Sequence, residues 1–428
     1  MIAPRGRWLA LGLAALGLAA FAPSASAAFT APVDVSANAA NPQVATDPDG
    51  DSVLAWEFIN NRVQARTMDD AGALGPVHEL GQASGTDDID PKAAIDNQGD
   101  AVFVFTRISG GSNVVLGRRL SAAGVLSPVF QVSGSGQNAG QPDVATDANG
   151  DTIITWTNFS FSVNAVQART MSARGVLGPI RTLSPSNIFP IAQFPEVAVD
   201  QTGDGVVTWA RNGGNGEAND QVQARALTVA GSQGPLLNLS DPATRAAEPQ
   251  VAIDDDGDTT FTWLRFDGVR DRVEARRMNS AGVLQAAVTV SNTRSAQTPQ
   301  VATDADGDSV FTWEIFDANV DRIHARRMAL GGGLSGIQQV SAVGGEAFAP
   351  QVARSAAGAS IFTWLRFDGT VDRVQARAMN VAGSLQATFD LSAAGVDAET
   401  PQVDMAATSG DAVATWERGG TVQASVGP

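Results

Sequence analysis

Apolar residues in this chain fall in short alternating runs, each bounded by Gly, Pro, Asp or Asn. The run from Asp258 to Trp263 alternates into an aromatic and stops. Val, Trp, Phe and Thr dominate such runs and no helical period appears, so the pattern predicts strands joined by turns. The runs are themselves repeated. The stretch from Pro42 to Trp56, P-Q-V-A-T-D-P-D-G-D-S-V-L-A-W, returns in recognisable form seven more times. Its prolines are Pro42, Pro91, Pro142, Pro195, Pro249, Pro299, Pro350 and Pro401. They stand about 50 residues apart, the period range of propeller repeats. The closing aromatics are Trp56, Phe105, Trp156, Trp209, Trp263, Trp313, Trp364 and Trp416, and an Ala stands three before the Pro in seven copies. Every copy has the same packing problem to solve, so comparing copies separates what a unit needs from what one unit adds.

Each unit reads as four strands. Strand a is the P-Q-V-A segment, and an Asp-x-Asp-Gly turn with Gly at the positive-φ position follows. Strand b alternates to the aromatic. A variable loop leads to strand c, Val63-Gln64-Ala65-Arg66 and its later copies. A small-residue turn such as Ala71-Gly72 leads to strand d, for example Val77 to Leu80 or Val288 to Ser291. The ends decide the architecture. Pro32 to Ser36 looks like a strand d but precedes the first unit, and the eighth unit stops after its strand c at Val422-Gln423-Ala424-Ser425. Closing a ring would pair both ends and remove two open edges. The expected fold is all-β: an eight-bladed β-propeller of four-stranded blades, residues 28–428, closed by the N-terminal strand. The rivals are an open β-solenoid and tandem sandwiches, although a sandwich needs about 100 residues per domain. Burying one Trp between blades removes about 150–250 Å² from water, roughly 4–6 kcal/mol as an upper bound.

Charge and composition narrow the function. The 428 residues carry 28 Lys+Arg against 45 Asp+Glu, a formal charge of −17. Nucleic acid and anionic membranes call for a basic patch, so neither is an expected partner. There is no Cys and no Tyr, the two His are His78 and His324, and Lys92 is the only Lys. Most nucleophiles and proton shuttles are therefore missing, and Ser, Thr and the carboxylates remain. Residues 1–27 read as a secretory signal peptide: Arg5 and Arg7, then an apolar stretch from Trp8 to Ala22, then Pro23 and an Ala25-Ser26-Ala27 cleavage site. The apolar stretch is short for a membrane span, which takes about 20 residues. The expectation is an exported, soluble chain, extracellular or periplasmic, with no membrane insertion after cleavage.

Three repeated groups are candidates for chemistry. The first is the acidic turn: Asp47, Asp49 and Asp51; Asp254, Asp256 and Asp258; Asp304, Asp306 and Asp308. Clustered carboxylates suit calcium, while Asp in a hairpin also bonds its own backbone. The spacing departs from the EF-hand loop, with Phe58, Arg265 or Ile315 at the twelfth position where that loop has Glu. The seventh copy, Ser355 to Ala359, has no acid but keeps Trp364, so the acids are dispensable for a blade and no cofactor is required. The second group is the strand-c arginines from Arg66 to Arg377, expected to pair with the acidic turns, as Arg66 with Asp47 or Asp51. The third is the b–c loop of units five to seven, with Arg265, Phe266 and Asp267, then Phe316 and Asp317, then Arg366, Phe367 and Asp368. These loops and the d–a connectors share one face of a propeller, and aromatic, acid and Arg together suit a sugar or peptide. A structural reading also exists, in which each Asp–Arg pair ties its own loop.

The turn and Trp resemble the Asp-box hairpin of sialidase-like propellers, with Thr46-Asp47-Pro48-Asp49-Gly50 matching its first part and Trp56 lying further on. Over the whole chain the P-x-V-A-x-D-x-x-G-D…W units resemble those of uncharacterised exported bacterial β-propeller repeat proteins. The resemblance implies fold and no activity. The sialidase mechanism uses a Tyr nucleophile, and this chain has no Tyr. The expected function is a non-catalytic recognition or scaffold module that binds a carbohydrate or protein through its b–c and d–a loop face. The alternatives are a glycoside hydrolase or lyase, which needs two carboxylates that depart from the repeat and converge near the channel, and a structural surface protein.

Overall fold

The computed structural model describes residues 28–81, 86–159, 164–185, 191–212, 220–292, 294–317 and 320–428; the side chain of Asp317 is left undescribed. The proposed signal peptide lies outside these residues. The described residues form thirty-two strands, β1 to β32, in eight four-stranded sheets arranged as blades around a central channel. Among them no helix is long and apolar enough to cross a membrane.

Blade 1 shows the unit. Strand a is β2 (Ala39–Thr46), b is β3 (Ser52–Phe58), c is β4 (Arg62–Met68) and d is β5 (His78–Glu79), paired antiparallel in that order. The eighth blade is completed as expected. β30 (Ala398–Met405), β31 (Ala412–Arg418) and β32 (Thr421–Gly427) take β1 (Val33–Ala37) as their outer strand, with Val33 opposite Ala424 and Ala37 opposite Thr421. The seven Trp side chains that close strand b are fully buried. Each reaches the blade before it: Trp56 packs with Val413 and Val422 of blade 8, and Trp156 with Val102 and Val115 of blade 2.

The a–b turn shows why Gly follows the acids. Asp96 Oδ1 accepts from the amides of Gln98 and Asp100, which closes its own turn. Its Oδ2 points across to blade 3, where a Cβ on Gly150 would lie 2.5 Å from it. Gly150 also has φ +88°. Glycine is thus required twice, by backbone conformation and by the close approach of the neighbouring blade.

The strand-c arginines do not pair with the acidic turns. Arg66 Nε donates to the Gly75 carbonyl at 2.8 Å and Nη1 to the Val35 carbonyl of blade 8 at 2.9 Å. Arg326 likewise joins Ser335 of its own blade to Val290 of blade 5. The Asp side chains already serve their own turns between strands a and b. Outside blade 4, where Arg225 Nε is buried without a partner, the arginines sit one strand further out, beside the carbonyls of the c–d turn and of the preceding blade's outer strand. Those carbonyls need donors, so the guanidinium staples two blades. The eighth copy has Ser425 instead, and its Oγ donates to the Thr30 carbonyl at 2.7 Å, so the N-terminal segment covers the gap.

Candidate functional site at the channel mouth

Strand a lines the channel in every blade, and the space it encloses is about 520 Å³. Each strand a is bulged just before its Pro; in β2 the register shifts between Ala40 and Gln43. The pre-proline residues Asn41, Asp90, Gln141, Phe194, Glu248, Thr298, Ala349 and Thr400 all have φ between 46° and 55°. Asn and Asp tolerate this region, while Phe and Thr are strained there. The bulge places these side chains at the mouth. Asn41, Asp90, Gln141, Phe194 and Thr400 border a cavity of about 520 Å³, and Phe194, Glu248 and Thr298 border an adjoining one of about 510 Å³. Phe194 is 52% exposed.

The mouth is knitted from blade to blade. Glu57 accepts from the Asp90 amide at 2.9 Å and from Asn41 Nδ2 at 3.0 Å. Gln141 accepts from the Phe194 amide at 3.3 Å, and Glu248 from the Thr298 amide at 3.1 Å. Glu314 accepts from the Ala349 amide at 3.4 Å. Burial, then Asp321 and Glu248, push the Glu314 carboxyl up to about 7.

One position sets three blades apart. The residue after the Pro is Gln in five: Gln43, Gln250, Gln300, Gln351 and Gln402. In blades 2, 3 and 4 it is Lys92, Asp143 and Glu196. All three are half-buried in the channel wall. Lys92 lines the first cavity, and Glu196 lies where the two cavities meet. Asp143 Oδ2 accepts from the Val197 amide at 2.8 Å, and its carboxyl is hydrogen-bonded to that of Glu196. Burial, then the charge of Asp143, push Glu196 up to about 8. Burial raises Asp143 as well, against the opposing pull of Lys92 and its backbone donors, so the two carboxyls compete for a proton. Burial works against the Lys92 ammonium, and the attraction of Glu196, Asp143 and Asp90 outweighs it. The site holds two carboxyls and an ammonium in one half-buried group.

These are two carboxylates that depart from the repeat and converge. Their separation argues against the usual glycosidase arrangement, because a hydrogen-bonded pair is closer than the roughly 5 Å or more that such mechanisms use. It matches instead a pair that shares one proton because both members cannot ionise together. The sequence offers a signal for this cluster, the residue after each Pro, but only to a reading that tabulates exceptions to the repeat rather than its members.

The loop residues expected from sequence lie on the same face, in blades 5 to 7. Arg265 pairs with Glu274 at 2.6 Å. Asp267 accepts from the Val269 and Arg270 amides and from Arg272 Nε, and these bonds hold it down to about 2. Asp368 accepts from Thr370 and Val371, and Arg366 donates to the Ala342 carbonyl at 2.6 Å. Asp267 and Asp368 thus serve their own loops, while Arg265 and Arg366 bond strand c and the preceding connector. Phe266, Phe316 and Phe367 are 36%, 53% and 39% exposed, and the Arg245 guanidinium lies over Phe266.

The acidic turns lie on the opposite face. Asp47 Oδ1 accepts from the amides of residues 49, 50 and 51, and Asp254 Oδ1 from those of Asp256 and Asp258. Asp304 Oδ1 accepts from the Asp308 amide, and its Oδ2 takes Arg354 at 2.8 Å. Asp51, Asp258 and Asp308 accept from the c–d turns at Asp70, Ser280 and Leu330. Asp49, Asp256 and Asp306 are exposed. Among the described residues no three His, Asp or Glu side chains are grouped to hold a metal ion.

No protein-family model matches the chain, and no curated protein does. Solved structures do. The WD40 domain of SCAP from fission yeast aligns over 94% of this chain and 98% of its own, at 11% identity and a TM-score of 0.55. The BP39L lectin from Burkholderia pseudomallei covers 84% of this chain and all of its own length, 100%, at 13% identity and a TM-score of 0.54. A PL25 ulvan lyase covers 78% and 93%, at 10% identity and a TM-score of 0.52. At such identities the likeness is one of fold: this chain is built as they are, a β-propeller.

Proposed function

We propose that this protein is a recognition module that binds a carbohydrate on its b–c and d–a face, centred on the channel mouth. The observation that carries this reading is the break in the Gln ring. Lys92, Asp143 and Glu196 replace Gln in three consecutive blades, and Lys92 and Glu196 line the cavities beside an exposed Phe194. A blade does not need these residues, since five blades form with Gln. Phe194 offers an apolar face to sugar C–H groups, and the Gln, Asn and carboxyl groups around it offer donors and acceptors for hydroxyls. Apolar walls with a few placed polar groups are the general make-up of a ligand site. Phe266, Phe316 and Phe367 extend the same face outward for a longer chain. The propeller neighbours include a lectin and a polysaccharide lyase, which is compatible with sugar binding.

The test is a glycan-array screen of the chain lacking residues 1–27, followed by titration of the best glycan. The expected result is a loss of about tenfold or more in Phe194→Ala and in Glu196→Gln. Binding that survives both changes but is lost in the combined Phe266→Ala, Phe316→Ala, Phe367→Ala variant would move the site to the outer loops. A protein ligand on the same face would leave the array blank and appear instead as a pulled-down partner lost in Phe194→Ala.

A further inference from the structure

Three blades carry a second arginine directly after the stapling one, and it reaches forward instead of back. Arg119 of blade 2 donates to the Ala173 carbonyl of blade 3. Arg327 of blade 6 donates to the Val381 and Ala382 carbonyls of blade 7 at 3.0 and 3.1 Å. Arg277 of blade 5 is 3% exposed and donates to the Gly307 and Ala329 carbonyls of blade 6, at 2.7 and 3.4 Å. Its other terminal nitrogen lies 3.9 Å from the Asp258 carboxylate of its own blade. A guanidinium thus fills the junction between two a–b turns and a c–d turn.

In blade 4 this position is Ala226, and the junction with blade 5 holds a cavity of about 400 Å³. Its lining includes Asp204, the counterpart of Asp258. It also includes Gly257 and Asn279, the counterparts of Gly307 and Ala329, whose carbonyls bind Arg277 one junction further on. Carboxylate and carbonyl acceptors stand where they hold arginine elsewhere in the ring, and the cation is missing. Thr170 replaces the same arginine in blade 3, but there a side chain of blade 4, Val229, crowds against the Gly203 turn.

We infer that the junction of blades 4 and 5 is a binding site for a guanidinium group, carried by a small molecule or by an arginine side chain of a partner. The site offers carboxylate and carbonyl oxygens to a planar five-donor fork, the pairing that arginine makes best. Ile253 and Met278 line the same cavity and suit the methylene stem. The site lies on the a–b and c–d face, away from the channel mouth, and stands independently of carbohydrate binding.

The experiment is calorimetric titration of the whole chain with agmatine and with a capped Gly-Arg-Gly peptide, with capped Gly-Gln-Gly as control. Saturable one-site binding is expected, about tenfold weaker in Asp204→Asn and abolished in Ala226→Arg, whose own side chain occupies the slot. Circular dichroism checks that Ala226→Arg is folded, and its melting temperature should equal or exceed that of the parent. Agmatine binding as tightly as the peptide points to a small molecule; tighter peptide binding points to a partner's arginine. No heat with either probe at millimolar concentration overturns the inference. So does binding unchanged in folded Ala226→Arg, or, should that variant fail to fold, unchanged in Asp204→Asn.

Discussion

At the scale of single residues, Glu196 is a carboxyl held protonated by its surroundings, and this has a pH signature. Its folded value of about 8 stands above the ordinary Glu value of 4.5. An acid raised by folding contributes stability that is full below its unfolded value and lost as pH climbs through the folded one. From about pH 5 to 8 the parent chain should therefore lose stability that Glu196→Gln retains, since Gln mimics the neutral acid. A melting-temperature difference opening by roughly 2–4 °C across that interval is expected, and scanning calorimetry at several pH values reads it. Glu314 and Asp404, pushed up to about 7 and about 6 by burial, are common to both proteins and cancel in the difference. Lys92→Gln alone removes the positive charge that faces Asp143 and Glu196 and should cost about 1–3 kcal/mol. Changing Lys92, Asp143 and Glu196 together to Gln rebuilds the ring used by the other five blades and should return stability to within about 1 kcal/mol of the parent. Urea melts of the single and triple variants check this; a triple variant less stable than Lys92→Gln would mean the cluster is structural.

At the scale of elements, the a–b turn of each of the first six blades reaches the next blade's turn through one carboxylate. Asp96→Ala removes the acceptor for two turn amides and should cost about 1–2 kcal/mol. Gly150→Ala forces a Cβ against Asp96 Oδ2 from a positive-φ position and should cost about 1–3 kcal/mol. With Asp96 already removed, the added Cβ meets less, so the double variant should be destabilised by less than the sum. Denaturant titration of the four proteins measures the coupling, and strict additivity would show that the two turns act separately. In the seventh turn Ser355 stands in for the acid, its Oγ accepting from the Ala359 amide at 3.2 Å, while Arg354 donates to Asp304 across the junction and to Ser360 within its own blade. Substitution at one element is thus answered at its neighbour.

At the scale of the molecule, closure depends on the first strand. Removing residues 28–37 exposes the edge of β32, the Trp56 cluster loses Val35, and Phe29 no longer packs with Phe389. A marked fall in melting temperature and concentration-dependent aggregation are expected, because an open strand edge is a template for pairing. Light scattering during a melt checks both, and an unchanged curve would show that the ring does not depend on this strand.

The chain's own pattern determined the closing role of residues 33–37, and with it the strands, their grouping into eight units and the aromatic that ends each strand b. The last three are local requirements repeated eight times, and repetition makes local requirements visible. The inner-strand bulge was not visible, since a pre-proline residue reads as extended until the register shift is seen. Nor was the true partner of the strand-c arginine. Its acceptors are backbone carbonyls, which every residue has and which carry no mark in a sequence. The candidate sites depend on differences among copies: Lys92, Asp143 and Glu196 in place of Gln, and Ala226 where three other blades have Arg. Those substitutions can be read from the chain. That three lie side by side around one channel mouth, and that the fourth opens a cavity lined by arginine acceptors, was decided only when the blades closed into a ring.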